Sequence, residues 1–307
     1  MRLGLSLPSQ QSNGEPLAPG TLADAARRIE AAGFDSAWVF DAIGRGFLQP
    51  DPLTALAIAA TVTKKIELGT GVFQVPLRNP VDLARRVLTT HLASGGRLIF
   101  GVGAGSTAAD FAALGVDFAA RFRLLDETLD TMRRLWRGER VGDAALGAIW
   151  PAAAGGPRVM IGSWAGSKWI PRAAREFDGW IASGARSNWG LLAQGIARFR
   201  DLGGQRAIVT NVVVDLDARE ASPDGPDDPC DLKCPKAMAV QRMQRLYALG
   251  FDDVVLVARR QDGRRLMDLR SLWRETKKKP ETKKKGGERM AKGKSMRKEK
   301  KKAKKKK

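Results

Sequence analysis

Residues 66–105 read IELGTGVFQVPLRNPVDLARRVLTTHLASGGRLIFGVGAG, and they decide the fold. Ile66–Val75 is an apolar run with the length and branching of a buried strand. Asn79-Pro80 then opens a helix, with proline at the first helical position. That helix ends near Ser94-Gly95-Gly96, and Arg97–Gly105 is a second buried strand. Strand, helix, strand within 40 residues is the unit from which parallel sheets are built.

The unit repeats in both directions. Upstream, the strands are Leu3–Pro8 and Ser36–Ala42. Each is followed by a helix, Thr21–Ala32 (Thr21 as N-cap, Gly33 as C-cap) and Asp51–Thr63. Downstream, the long helix Ala119–Arg137 precedes a strand at Arg158–Ser163 and a helix at Ser167–Phe177. Strands at Gly179–Ser183, Arg206–Asp217 and Asp253–Ala258 alternate with helices at Trp189–Leu202, Pro235–Leu249 and Arg264–Trp273. Eight strands, each followed by a helix, predict an α/β protein of the (β/α)8 TIM-barrel class. A doubly wound sheet would show fewer strands and one glycine-rich turn near the start.

Charge divides the chain. The formal net charge is +20, but residues 276–307 hold 16 Lys and 2 Arg against 3 Glu. Only +5 is left for the rest, an ordinary balance for an enzyme. The division predicts a domain over 1–275 and a disordered Lys-rich tail over 276–307, too poor in apolar residues to form a core. The tail suits salt-dependent nucleic-acid binding, without aromatic residues for base stacking. Met290-Ala-Lys-Gly-Lys equally resembles the start of a fused or read-through basic segment. No apolar run is long enough for a membrane span, and Met1–Gly14 lacks the pattern of a signal peptide, so the expected location is cytoplasmic.

Metal chemistry is not expected. Cys230 and Cys234 form a lone C-x3-C without a second ligand pair, and His91, the one histidine, falls at the end of a helix at the bottom of a barrel. Barrel sites lie instead at the C-terminal strand ends. This rule selects Phe40 and Asp41, Gly71–Gln74, Gly103–Ser106, Gly162–Ser167, Ser183–Arg186 and Arg259–Arg260. The glycine string Gly101–Gly105 reads as backbone lying close to a flat ligand or as a tight turn. Ser163–Ser167, at a strand-to-helix junction, offers amides and hydroxyls to an anion, with Ser167 also a plain N-cap.

Four blocks resemble the luciferase-like monooxygenase superfamily, which includes flavin- and deazaflavin (F420)-dependent oxidoreductases. They are residues 51–86 (DPLTALAIAATVTKKIELGTGVFQVPLRNPVDLARR), 94–121 (SGGRLIFGVGAGSTAADFAALGVDFAAR), 174–181 (AREFDGWI) and 246–257 (LYALGFDDVVLV). The resemblance implies a flavin-dependent oxidoreductase of monooxygenase type, with FMN as cofactor or F420 as the alternative, a small-molecule substrate and a homodimer. It implies a non-proline cis peptide at Gly71–Val72 under the cofactor ring, and a phosphate near Ser163, Gly166 and Ser167 assisted by Arg121. With Gly103, Ala104, Gly105 and Gly162, these make the cofactor set. Phe40, Phe73 and Trp164 are expected in an apolar substrate pocket. Asp41-Ala42 and Ser106 stand where many F420-dependent relatives carry Asp-His and Glu, so Asp41 is left as the one catalytic candidate. The same departures keep open an inactive ligand-binding barrel.

Overall fold

The computed structural model describes residues 1–11 and 14–276. The elements in order are β1 (Arg2–Ser6), α1 (Thr21–Ala31), β2 (Ser36–Val39), α2 (Pro52–Val62), β3 (Glu67–Thr70), β4 (Phe73–Gln74), α3 (Pro80–Ala93), β5 (Leu98–Gly103), α4 (Ala108–Ala113) and α5 (Arg121–Trp136). They continue as β6 (Arg158–Gly162), α6 (Ile170–Arg175), β7 (Gly179–Ser183), α7 (Trp189–Asp201), β8 (Ala207–Asp215), β9 (Leu232–Lys233), α8 (Lys236–Leu249), β10 (Asp253–Ala258) and α9 (Gly263–Thr276).

Eight of the strands close a parallel barrel in the order β1-β2-β3-β5-β6-β7-β8-β10, and β10 pairs with β1 to seal it. Short β4 pairs with β5, and β9 with the end of β8. The fold is therefore the expected TIM barrel.

Two apolar clusters hold it. The larger lies between the barrel and its helices. The smaller fills the barrel itself with Trp38, Ile99, Met160, Ile181, Ile208 and Val255. Trp38 fits because two neighbours have no side chain: a Cβ on Gly69 would lie 2.5 Å from its ring, and one on Gly4 2.8 Å from its indole nitrogen. At the N-terminal strand ends the barrel is closed by charge. Glu67 meets Arg2 at 2.6 Å, Arg206 at 2.8 Å and Arg158 at 2.5 Å, and Asp253 meets Arg206 at 2.9 Å. Burial raises the Glu67 pKa, but the hydrogen bonds and charges of Arg206 and Arg2 outweigh it and bring it down to about 2.

Several sequence expectations change. The strand expected over 66–75 breaks after Thr70 into β3 and β4. The helix expected over 167–177 is only Ile170–Arg175, because Pro171 is tolerated in a first turn but could not donate to the Ser167 carbonyl inside a longer helix. Thr21 is not an N-cap: Gly20 takes that place with φ of 83°, and the Thr21 hydroxyl donates to the Ala18 carbonyl. Helix α4 and strand β9 were not anticipated. Helix α9 runs to Thr276, one residue past the expected boundary. The tail expectation otherwise lies outside the described residues. No helix among the described residues is long and apolar enough to cross a membrane.

Candidate active site

A cavity of about 880 Å³ opens at the C-terminal ends of β2 to β8. Its lining begins at Phe40 and ends at Asn211, so β1 and β10 contribute nothing to it. Arg259, at the end of β10, lines a separate pocket of about 310 Å³, so the Arg259–Arg260 candidate is not part of the main site.

The floor is Val72, which packs on the cluster inside the barrel. The Gly71–Val72 peptide is cis, at the position the family resemblance implied. Two glycines seat this side chain. A Cβ on Gly162 would lie 2.4 Å from one Val72 methyl, and a Cβ on Gly103 would lie 2.7 Å from the other. Gly101 faces the Thr70 carbonyl in the same way, at 2.0 Å. The glycines thus give space to Val72 and to backbone, and Gly71, Gly103 and Gly162 line the cavity together with Val72.

Phe73 is corrected. It is fully buried against Phe100 and does not line the cavity. Alternation along an unbroken strand would carry Gly69, Gly71 and Phe73 inward together. The break between β3 and β4 turns Val72 inward instead, so Phe73 points to the helix layer and Gln74 to the cavity. Phe40 and Trp164 do line the site, and Trp164 is 62% exposed at its rim.

Asp41 is buried, and both of its oxygens are engaged. Oδ1 accepts from Arg78 at 2.9 Å and Oδ2 accepts from the Gln74 backbone amide at 2.9 Å. Burial raises its pKa, against the opposing pull of Arg78. The carboxylate thus anchors β4 while lining the cavity. The network goes on through the Gln74 side chain, which donates to Asp110 at 2.8 Å, and Asp110 takes a forked contact from Arg45. Burial of Asp110 is outweighed by these hydrogen bonds, and its pKa lies below the usual carboxylate range.

The β5–β7 side of the cavity differs. Arg121 and Arg186 line it without a carboxylate partner among the described residues. Arg121 is held in place by stacking on Phe118 at 4.0 Å and Phe122 at 4.4 Å, and it donates to the Phe118 carbonyl at 2.9 Å. Between them, the turn after β6 presents Ser163, Gly166 and Ser167. The amides of Ala165 and Gly166 have no acceptor among the described residues. The Ser167 hydroxyl accepts from the Trp169 amide at 3.1 Å. Ala104 and Gly105 complete the wall above β5.

The strand-end rule had selected Gln74 and Arg186, but sequence reasoning missed Arg45, Arg78, Thr210 and Asn211. His91 sits in α3 at the far end of the barrel from the cavity; burial first, then Arg158, lowers its pKa. Cys230 and Cys234 are buried free thiols outside the cavity.

The architecture suits a planar apolar group lying on Val72 with an anionic arm toward Arg121. A family model described as luciferase-like monooxygenase matches residues 1–214. An F420-dependent glucose-6-phosphate dehydrogenase of Amycolatopsis mediterranei is 33% identical over 139 residues, 43% of this chain and 42% of that protein. A 4-hydroxyprotoasukamycin monooxygenase of Streptomyces nodosus subsp. asukaensis is 36% identical over 113 residues, 36% of this chain and 30% of that protein. The matched stretches thus span less than half the length of these curated relatives. Among solved structures, the coenzyme F420-dependent tetrahydromethanopterin reductase of Methanopyrus kandleri superposes with a TM-score of 0.67 at 16% identity, over 88% of this chain and 97% of that one, which shows the shared fold. With its family model matching well over half of its length, the chain belongs to the luciferase-like monooxygenase family.

Proposed function

We propose that this chain is a flavin-dependent oxidoreductase of monooxygenase type, using FMN on a small organic substrate with an apolar face. The observation that carries the reading is the pairing of an apolar floor at Val72 with two guanidinium groups, Arg121 and Arg186, that have no carboxylate partner among the described residues, on one side of the same cavity. An isoalloxazine ring fits the first and a phosphate the second.

FMN supplies the electron-transfer chemistry when bound. The chain's own residues do the rest. Arg121, Ser163, Ser167 and the amides of Ala165 and Gly166 hold the phosphate. Val72 supports one face of the ring, and Gly103, Gly162 and the Asp41–Arg78 anchor keep Val72 in place. Phe40 and Trp164 present apolar surface to the substrate and exclude water. Neither Ala42 nor Ser106 replaces the proton-handling groups of many F420-dependent relatives, which favours FMN. The names of relatives such as that of Amycolatopsis mediterranei support F420 as a second reading.

Titration of the purified chain with FMN and with F420, followed by absorbance and by quenching of ligand fluorescence, tests the proposal. Saturable binding of FMN is expected. Saturable binding of F420 alone would shift the reading to hydride transfer with that cofactor. Binding of neither would overturn both and leave an inactive ligand-binding barrel.

A further inference from the structure

Strand β8 reads AIVTNVVVD, and its register against β10 slips in the middle. Val209 pairs with Val254, but Val212 pairs with Leu256, so two residues of β8 lie opposite Val255 alone. These are Thr210 and Asn211, and together they form a β-bulge. The bulge changes the faces. Ile208 points into the barrel and Val209 out of it. Thr210 and Asn211 then both face the cavity, and Val212 and Val214 point outward again. Without the bulge, Asn211 would point into the helix layer.

Asn211 has φ of 56°, and among the described residues it is the one non-glycine residue with positive φ. Asparagine tolerates this region better than most side chains. Glycine would meet the backbone demand at less cost, so conformation alone does not explain the amide. Its Nδ2 lies 3.4 Å from the Ser183 hydroxyl and 3.3 Å from that of Thr210, long contacts that leave hydrogen-bonding capacity unused. Thr210 in turn neighbours the cavity floor: a Cβ on Gly71 would lie 3.3 Å from its methyl.

We propose that Asn211 reads the polar edge of the ring bound over Val72. A side-chain amide offers a donor beside an acceptor, which matches the alternating carbonyl and N–H edge of a pyrimidinedione. Flavins and deazaflavins share that edge, so the inference rests on the proposed cofactor class and not on the choice between its two members. Asn211 is a binding and tuning residue, fixed by a bulge that exists to turn it inward.

The test uses three forms of the full chain: wild type, Asn211→Gly and Asn211→Asp. Glycine keeps the bulge and deletes the amide. Aspartate keeps shape and backbone preference but replaces the two donors with a charge. Riboflavin, FMN and F420 are titrated, and the spectrum and midpoint potential of the bound ligand are recorded without substrate. Asn211→Gly is expected to weaken every ligand that wild type binds about tenfold, riboflavin included, as loss of one or two hydrogen bonds implies. Asn211→Asp is expected to weaken them further and to lower the potential, because a negative charge opposes reduction. If both variants melt like wild type and keep its affinities, spectra and potential, Asn211 is only a bulge residue and this inference fails. Should Asn211→Gly not fold, wild-type values in Asn211→Asp alone would have the same force. Absence of all ligand binding in wild type would overturn the proposed function together with this inference.

Discussion

The Asp41 carboxylate and the Arg78 guanidinium meet at 2.9 Å at the edge of the cavity, with the aspartate side chain 3% exposed and the arginine 13%. Their separation in sequence is 37 residues, and the pair ties the end of β2 to the segment following β4. Arg78→Met would leave the carboxylate buried and unpaired, at a cost of about 3 kcal/mol near neutral pH. Because the folded-state pKa of Asp41 lies above its ordinary value, the folded chain binds this proton more tightly than the unfolded chain does. Its contribution to stability is therefore greatest at low pH and declines as pH rises through the raised value. Removing Arg78 pushes that value higher. Urea unfolding of Arg78→Met across the acidic-to-neutral range should show a deficit that shrinks as pH falls; a pH-independent deficit would refute the account.

Glu67 titrates with the opposite sign. Its pKa falls from 4.5 to about 2 on folding. Its contribution is present above 4.5 and is lost as pH falls toward 2. Allowing for partial solvent screening, it is worth about 2 kcal/mol. Glu67→Gln should lower stability at neutral pH by roughly this amount and flatten the acid limb of the stability curve. The variant should bind cofactor normally, since Glu67 lies at the end of the barrel away from the cavity.

Gly162→Ala places a methyl 2.4 Å from the Val72 side chain. Overpacking of this kind costs about 1–3 kcal/mol, and here it should also displace the cavity floor and weaken FMN binding. Shortening the opposing side chain in the Val72→Ala/Gly162→Ala double variant should restore the melting temperature. If the single variant melts like wild type, the glycine is not seating Val72.

Arg121→Ala should weaken FMN roughly 10- to 100-fold, as loss of a charge-assisted phosphate contact implies, and leave riboflavin almost unchanged. Equal losses for both ligands would place Arg121 against the ring instead. Calorimetric titration with the two ligands separates these outcomes.

Removal of residues 277–307 should leave FMN affinity unchanged, since the described lining from Phe40 to Asn211 already supplies the floor and the proposed phosphate site. The 16 lysines in that segment should account for salt-dependent RNA retention by the full chain. Equal retention by the full and truncated chains would remove the nucleic-acid reading of the segment.

The barrel was legible because parallel strands buried on both faces leave short apolar runs, and eight of them follow one another with helices between. The strand-end rule then brought Asp41, Val72, Ser163, Ser167 and Arg186 to the right end of the molecule. Facing was harder to read. IELGTGVFQV looks continuous, so Phe73 inherits the wrong side from the alternation before it. RAIVTNVVVDLD hides its bulge equally well, and the one local hint is an asparagine among β-branched neighbours. The Arg45–Asp110 pair spans 65 residues, and no local pattern announces such a partner. Gly103 was legible as a close approach, but the side chain that approaches it and Gly162 is Val72, from the break between β3 and β4.

The seam of the barrel, where β10 joins β1, takes no part in the cavity. Division of labour follows along the chain. Every described residue that lines the cavity lies before residue 212, and the stretch from there to Thr276 works as a clasp that keeps the cylinder shut. The clasp reaches the cavity only at second hand, through Val255, which packs in the cluster beneath Val72 and faces the bulge that turns Asn211 inward.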